Sequence, residues 1–211
     1  MNADMHGDKT MGKNTADDGG RRRTRWRVAA WGVITGLLLL VPLLAMQFTE
    51  EVNWDLLDFA VMGAFLFGTG LAYEVVAGKA GPIAYRAAVG VTLAAAFLLV
   101  WVNGAVGIIG SEANPANFMY FGVLALGIVG AGVARFEPDG MARTLFGMTL
   151  AQALVPVIAL IVWPPRVASW GAAGVFGVFG LNAIFVVLFV LSALLFREAV
   201  RLGSEADAAK Q

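Results

Sequence analysis

The chain has 211 residues, 59% hydrophobic and 14% charged, with a mean hydropathy of +0.75 and a formal net charge of zero. A soluble domain carries about 25% charged residues and could not hide this much apolar surface in one core, so a water-soluble globular class is excluded and a polytopic membrane protein is indicated. There is no cysteine, and the single histidine, His6, sits in a polar terminal stretch, which removes disulfides, thiolate or histidine metal sites and histidine acid–base chemistry from the apolar region.

Residues 1–27, MNADMHGDKTMGKNTADDGGRRRTRWR, show no periodicity that could bury a face, and a disordered cytoplasmic tail is expected. Six apolar stretches follow, at about 28–48, 56–77, 86–109, 116–134, 142–163 and 170–196. Each supplies the ~20 residues that a helix rising ~1.5 Å per residue needs to cross a ~30 Å hydrocarbon core. Backbone groups in lipid must pair internally, so the expectation is an all-α membrane protein, with a transmembrane domain over 28–197 and a polar cytoplasmic tail over 198–211. The longer last stretch is expected to tilt or to begin outside the core. RRRTRWR ahead of the first stretch has the form of a secretory or twin-arginine start. That run exceeds an ordinary signal core, however, and VPLLAMQFTEE offers no A-x-A cleavage site. An uncleaved first helix is therefore expected, its arginines anchoring topology and meeting anionic lipid headgroups.

After the first stretch, TEEVNWDLLDF places Glu51, Asp55 and Asp58 at i, i+4 and i+7, on one side of a helix. With Glu50 and Glu112 they would form an acidic outer rim facing only Arg166. Such a rim could collect cations or hold one hard divalent ion through oxygen ligands, and a solvated loop kept free of lysine is the other reading. Glu74, closing the second stretch, is expected to pair with Arg86 or Lys79. Thr35, Thr92, Thr149, Gln152 and Asn117 are the candidate lining of a polar path, with Asn103 and Asn182 as further amides. Threonines that bond their own i−4 carbonyl and amides that bond between helices are the competing assignment.

Between the third and fourth stretches, GSEANPANFMYFG interrupts the apolar pattern. Asn114 before Pro115 forms a favourable N-cap and N1 pair, and Asn53-Trp54 and Ser169-Trp170 occupy comparable entrances to the second and sixth helices. Glu112 and Asn117 are left without a capping role. Gly127, Ala131 and Ala134, and Gly171, Gly174, Gly177 and Gly180, form small-residue faces suited to close helix packing or to an interface between copies.

The sequence also resembles itself. RAAVGVTLAAAFLL from Arg86 and RTLFGMTLAQALVP from Arg143 share R-x-x-x-G-x-T-L-A-x-A at a spacing of 57, and Thr35, Thr92 and Thr149 fall at successive steps of 57. LVPLLA with Pro42 matches LVPVIA with Pro156 at 114, twice that step, while Gly68–Ala72 matches Gly130–Ala134 more loosely at 62. Three helical hairpins of like orientation are expected, with equivalent contacts in each. Sorted against the spans, fourteen of the fifteen basic residues fall on one side and only Arg166 on the other, so both termini are expected in the cytoplasm.

The segment WVNGAVGIIGSEANPANFMYFGVLALGIVGAGVARF, with MQFTEEVNWDLLDF and LFGTGLAYE, resembles an uncharacterised family of small bacterial multi-pass inner-membrane proteins. The resemblance spans roughly residues 43–160 and implies an inner-membrane location and a multi-helix fold, with no activity and no site residue to carry over. G-x-S-x-G, H-E-x-x-H and P-loop patterns are absent, and the G-x-G pairs lie inside apolar stretches, so no enzyme, cofactor or nucleic-acid partner is expected. The working expectation is passage of a small solute or ion across the inner membrane, and the alternative is a non-transporting structural or accessory role with a membrane partner or further copies of the chain.

Overall fold

A computed structural model describes residues 7–48, 53–78, 82–172 and 174–209. Among these, all extended regular structure is helical: α1 (Gly7–Phe48), α2 (Leu56–Ala77), α3 (Ile83–Ala105), a 3-10 turn (Pro115–Asn117) leading into α4 (Phe118–Val133), α5 (Pro138–Val162) and α6 (Gly174–Ala208). Six segments, Arg25–Phe48, Leu56–Ala77, Ile83–Ala105, Pro115–Val133, Pro138–Val162 and Gly174–Ala208, are long and apolar enough to cross a membrane. The all-helical class with six long apolar helices therefore holds.

The element ends differ from expectation for local reasons. The polar segment expected to be irregular is helical from Gly7 onward, because extending a helix already nucleated in the apolar stretch costs less than starting one. At the other terminus α6 runs past residue 196 through most of the expected tail, where Glu198, Arg201 and Glu205 form ion pairs at i, i+3 and i+4 spacing. Helix α3 stops at Ala105 rather than 109, two residues before Gly107 at φ +70°, and α5 starts at Pro138, a proline needing no partner for its missing N–H. Helix α6 starts at Gly174 rather than 170.

The chain divides into two compact units, one ending at Glu74 and the other beginning at Val75. In the first, Trp31 of α1 lies against Gly70 of α2, where a β-carbon would overlap the indole, and meets Tyr73 edge-on at 6.0 Å. Further along the pair a β-carbon at Gly63 would come within 3.2 Å of Leu39. Arg27, Trp31 and Leu39 follow one another at steps of four and eight residues along α1, and Trp31 and Leu39 meet the glycine side of α2.

The second unit is a four-helix bundle in which α6 packs on α3 and α5, and α4 packs on α5, while α3 and α4 barely touch. The extensive α5–α6 pairing has no counterpart between α3 and α4, so the packing does not show the equivalent hairpins that the internal repeat led us to expect. Phe185, Phe189, Ala193 and Phe196 of α6 are buried with Ala88, Ala95 and Leu99 of α3 and Leu145 and Ala159 of α5. Across α4 and α5, a β-carbon on Gly127 would meet Met148 and one on Gly130 would meet Thr144, so the close-approach face is Gly127 and Gly130 with Ala134 beside Gly140. Of the expected Gly127–Ala131–Ala134 line, the first and last residues hold and Gly130 takes the place of Ala131. At Gly174 and Gly180 of the expected glycine face a β-carbon would meet nothing within 4 Å.

Helix α4 ends in a Schellman turn. Arg135 N–H donates to Gly132 O at 3.1 Å and Phe136 N–H to Ala131 O at 3.2 Å, which closes the last carbonyls. Glycine usually fills the left-handed position, yet here Arg135 has φ +51° and Phe136 φ +62°. Tyr85 of α3 donates its hydroxyl to Phe136 O at 2.9 Å and so ties the start of α3 to this turn.

Candidate functional site: buried amides of the four-helix unit

The interruption at 106–117 is a folded plug. Ile108 and Ile109 are buried, and Asn117 holds the Ile109 peptide from both sides: its Oδ1 accepts from Ile109 N–H at 2.9 Å and its Nδ2 donates to Ile109 O at 3.2 Å. The same Nδ2 donates to Ser111 O at 2.6 Å, and Asn117 O accepts from Asn103 Nδ2 of α3 at 3.2 Å. An asparagine side chain has the donor–acceptor pair of a peptide group, so it can satisfy a buried peptide as a neighbouring strand would. Asn114 caps the 3-10 turn as expected, accepting from Ala116 N–H at 3.0 Å with Pro115 following it. Asn117, a candidate for a polar lining, is instead a latch on its own loop.

This plug meets the α5–α6 connection backbone to backbone. Gly110 at φ +78° and Gly171 at φ +72° face each other across a gap that no β-carbon fits, since one on Gly110 would overlap Ser169 O. Trp170 is buried and donates Nε1 to Trp163 O at 2.8 Å, and Ser169 Oγ accepts from Gly171 N–H at 3.2 Å. Ser169-Trp170 therefore shapes the loop and does not cap α6.

Deeper in the bundle, Tyr120 of α4 reaches across to Asn182 of α6. Its hydroxyl donates to Asn182 Oδ1 at 3.2 Å and accepts from Asn182 Nδ2 at 2.9 Å. Gln152 of α5 donates Nε2 to the same Oδ1 at 2.9 Å, and Asn182 Nδ2 also donates to Val178 O at 2.8 Å. A second polar contact joins α3 and α6: Thr92 Oγ1 and Ser192 Oγ lie 2.6 Å apart and both reach Ala88 O. With one proton each, one hydroxyl donates to the carbonyl and the other to its neighbour. Gln152, Ser192, Asn182, Asn117 and Asn103 are all buried. Two amide oxygens, Gln152 Oε1 and Asn103 Oδ1, have no protein partner.

Comparison of the chain with protein-family models, curated proteins and solved structures finds no match.

Thr149 donates to Leu145 O at 2.8 Å and Thr92 to Ala88 O at 2.9 Å, both one turn back in their own helices, while Thr35 is buried on α1 in the other unit. The threonines at the 57-residue step thus do not form one shared lining within the second unit. Glu51 lies outside the described residues. Asp55 and Asp58 make a reciprocal cap: Asp58 N–H donates to Asp55 Oδ1 at 2.8 Å, and Asp55 N–H donates to Asp58 Oδ2 at 2.9 Å. The entrance to α2 is therefore Asp55, with Asn53 and Trp54 ahead of it. Glu112 is exposed on the plug of the second unit, and among the described residues no three acidic or imidazole side chains converge as a metal site would require. Glu74, expected to pair with Arg86 or with Lys79, which lies outside the described residues, is engaged within the first unit. Its Oε2 meets Arg27 at 2.8 Å and its Oε1 accepts from Trp31 Nε1 at 3.1 Å, which fastens α2 to α1.

Sequence reasoning passed over Tyr120 and Ser192. Ser192 carried a usable signal, because it is the lone polar residue in AIFVVLFVLSALLF, where an unpaired hydroxyl would be costly. Tyr120 stands among the aromatics of FMYF with no spacing signal, although a buried tyrosine ordinarily needs a partner for its hydroxyl.

Proposed function

We propose that the chain is a multi-pass protein of a bacterial inner membrane, with both termini cytoplasmic, and that it acts as a structural or accessory subunit that does not itself move solute. The observation that carries this reading is the closure of the second unit's polar groups. Gln152, Asn182, Tyr120, Ser192 and Asn117 bond to one another or to backbone, and the 106–117 plug covers one end. A conduit would present such groups to a shared lumen. Apolar side chains on α1 and α2, among them Leu37, Val41, Leu44, Leu57 and Val61, are exposed, which suits contact with lipid, a membrane partner or another copy. The arginines before the first span suit anionic headgroups.

Orientation rests on the distribution of basic residues and has a direct test, since the chain has no native cysteine. Single cysteines at Arg166 or Glu112 are expected to react with a membrane-impermeant maleimide in intact spheroplasts. Cysteines at Gly140 or Gly203 should react only after permeabilisation, and the reverse pattern would overturn the assignment. For function, purified protein in liposomes is expected to give Na⁺, K⁺ and neutral-solute fluxes equal to protein-free vesicles. Flux above that level, lowered by Gln152→Leu, would establish passage of a small solute or ion instead. That second reading is favoured by the two unpartnered amide oxygens.

A further inference from the structure

Three arginines flank one junction at an end of the second unit. Tyr85, in the first turn of α3, donates its hydroxyl to Phe136 O of the α4–α5 turn at 2.9 Å and sets its ring edge-on to Phe196 of α6 at 5.3 Å. The chain neighbours of these residues include Arg86, Arg135 and Arg197. Consecutive Cα atoms lie ~3.8 Å apart, so the contacts of Tyr85 gather three arginines from elements that are distant in sequence. All three are exposed, and among the described residues none of them forms an ion pair. Carboxylates are fewer here. Asp139 and Glu198 are engaged by Arg143 and Arg201, which leaves Glu137, the other neighbour of Phe136, so positive charge is in excess.

Two further observations point to an anion. The first turn of α3 carries no acidic residue and its N-cap, Pro82, gives no side-chain acceptor, so the positive end of that helix stands uncompensated beside Arg86. Arg135 is held at φ +51°, where glycine is the unstrained choice. Strain kept at an exposed, charged residue points to a role for its side chain, since packing does not require it. We propose that Arg86, Arg135 and Arg197 form a headgroup site for an anionic phospholipid. Guanidinium groups match phosphate oxygens in pairs, and basic clusters between helix ends at a membrane surface hold lipid phosphate. Neighbouring apolar side chains select a lipid over a soluble phosphate. Ile83, three residues before Arg86, is 85% exposed, and Val133, two before Arg135, is 80% exposed. The site is separate from the arginines before the first span. It rests on membrane insertion alone, goes beyond the accessory reading, and stands whether or not the protein moves solute.

The test is retention of phosphatidylglycerol against phosphatidylcholine by delipidated full-length protein in detergent, read by native mass spectrometry. Arg86→Gln, Arg135→Gln and Arg197→Gln together are compared with a charge-matched set, Arg21→Gln, Arg22→Gln and Arg23→Gln. An arginine near an anionic surface is worth about fivefold in affinity, so the first set should bind phosphatidylglycerol roughly a hundredfold more weakly than the parent. The charge-matched set should fall by far less, and phosphatidylcholine binding should stay level throughout. Arg135→Gly serves if the triple variant fails to fold. It should melt higher than the parent without anionic lipid, because glycine relieves the strain, yet bind phosphatidylglycerol about fivefold more weakly. Equal retention of the two lipids by the parent, or equal losses in the two triple sets, would overturn the site. Displacement of the lipid by glycerol phosphate at comparable concentration would assign the arginines to a soluble phosphate and overturn it likewise. Liposome flux is a separate readout, so failure of the headgroup site and failure of the accessory reading are distinguishable.

Discussion

Replacing Asn117 with alanine removes three hydrogen bonds at once and strands the peptide they hold. Ile109 has 0% exposure, so its N–H and C=O cannot turn to water without opening the plug, whereas Ser111 is exposed and its carbonyl can rehydrate. A stranded buried group costs about 1–3 kcal/mol. Taking the middle of that range for the two Ile109 groups and little for Ser111 gives a loss of roughly 4 kcal/mol. At about 2–4 °C per kcal/mol for a chain of this size, the melting temperature should fall by roughly 10 °C. The assay is thermal unfolding in nanodiscs, with Asn53→Ala as an exposed control, combined with hydrogen exchange over residues 106–114. Asn117→Asp keeps the acceptor for Ile109 N–H but loses both donations and buries a charge, so it should be at least as damaging. If Asn117→Ala melts with the parent and its 106–114 amides stay protected, the latch does not hold the plug and this reasoning fails.

The junction of the plug with the α5–α6 connection should be equally intolerant. Gly110→Ala puts a side chain both at φ +78° and into Ser169 O, and is expected to cost about 2–3 kcal/mol in the same unfolding assay. Arg135→Gly should act in the opposite direction, stabilising by about 1 kcal/mol because glycine occupies the left-handed position of the Schellman turn without strain. In the first unit, cysteines at Leu39 and Gly63 should join through a short thiol cross-linker, and adding Glu74→Ala should lower the yield by removing the tie to Arg27 and Trp31. Asp55→Ala should cost about 1 kcal/mol and speed amide exchange in the first turn of α2, as expected for loss of a capping residue.

The helices were legible because lipid-length apolar runs leave few alternatives, and hydropathy over ~20 residues reads them directly. Asn114–Pro115 was legible for a local reason: a cap acts on residues two or three positions away. What escaped depended on distance along the chain. The pairing of Glu74 with Arg27 spans forty-seven positions and that of Tyr120 with Asn182 sixty-two, and neither partner carries a spacing signal. The expectation for Glu74 followed proximity in sequence, whereas Arg27 and Trp31 reach it because α1 lies against α2. The acidic side chains of the α2 entrance were read as one helical face, but Asp55 stands just outside the helix and spends its carboxylate on a backbone amide. The similarity between the segments around Thr92 and Thr149 survives as a shared local habit, a threonine bonded one turn back. It did not extend to the packing, because α3 chose α6 through Thr92 and Ser192.

The slight contact between α3 and α4 gives the second unit a direction of least stiffness. Those two helices are tied at one end by Tyr85 to Phe136 O and at the other by Asn103 to Asn117 O, with little side-chain interdigitation between the ties. The remaining sides are closed by α6 on α3, α5 on α6 and α4 on α5. Relative movement of α3 and α4 would therefore pivot on those two ties, while the other three helix pairs are held along their lengths.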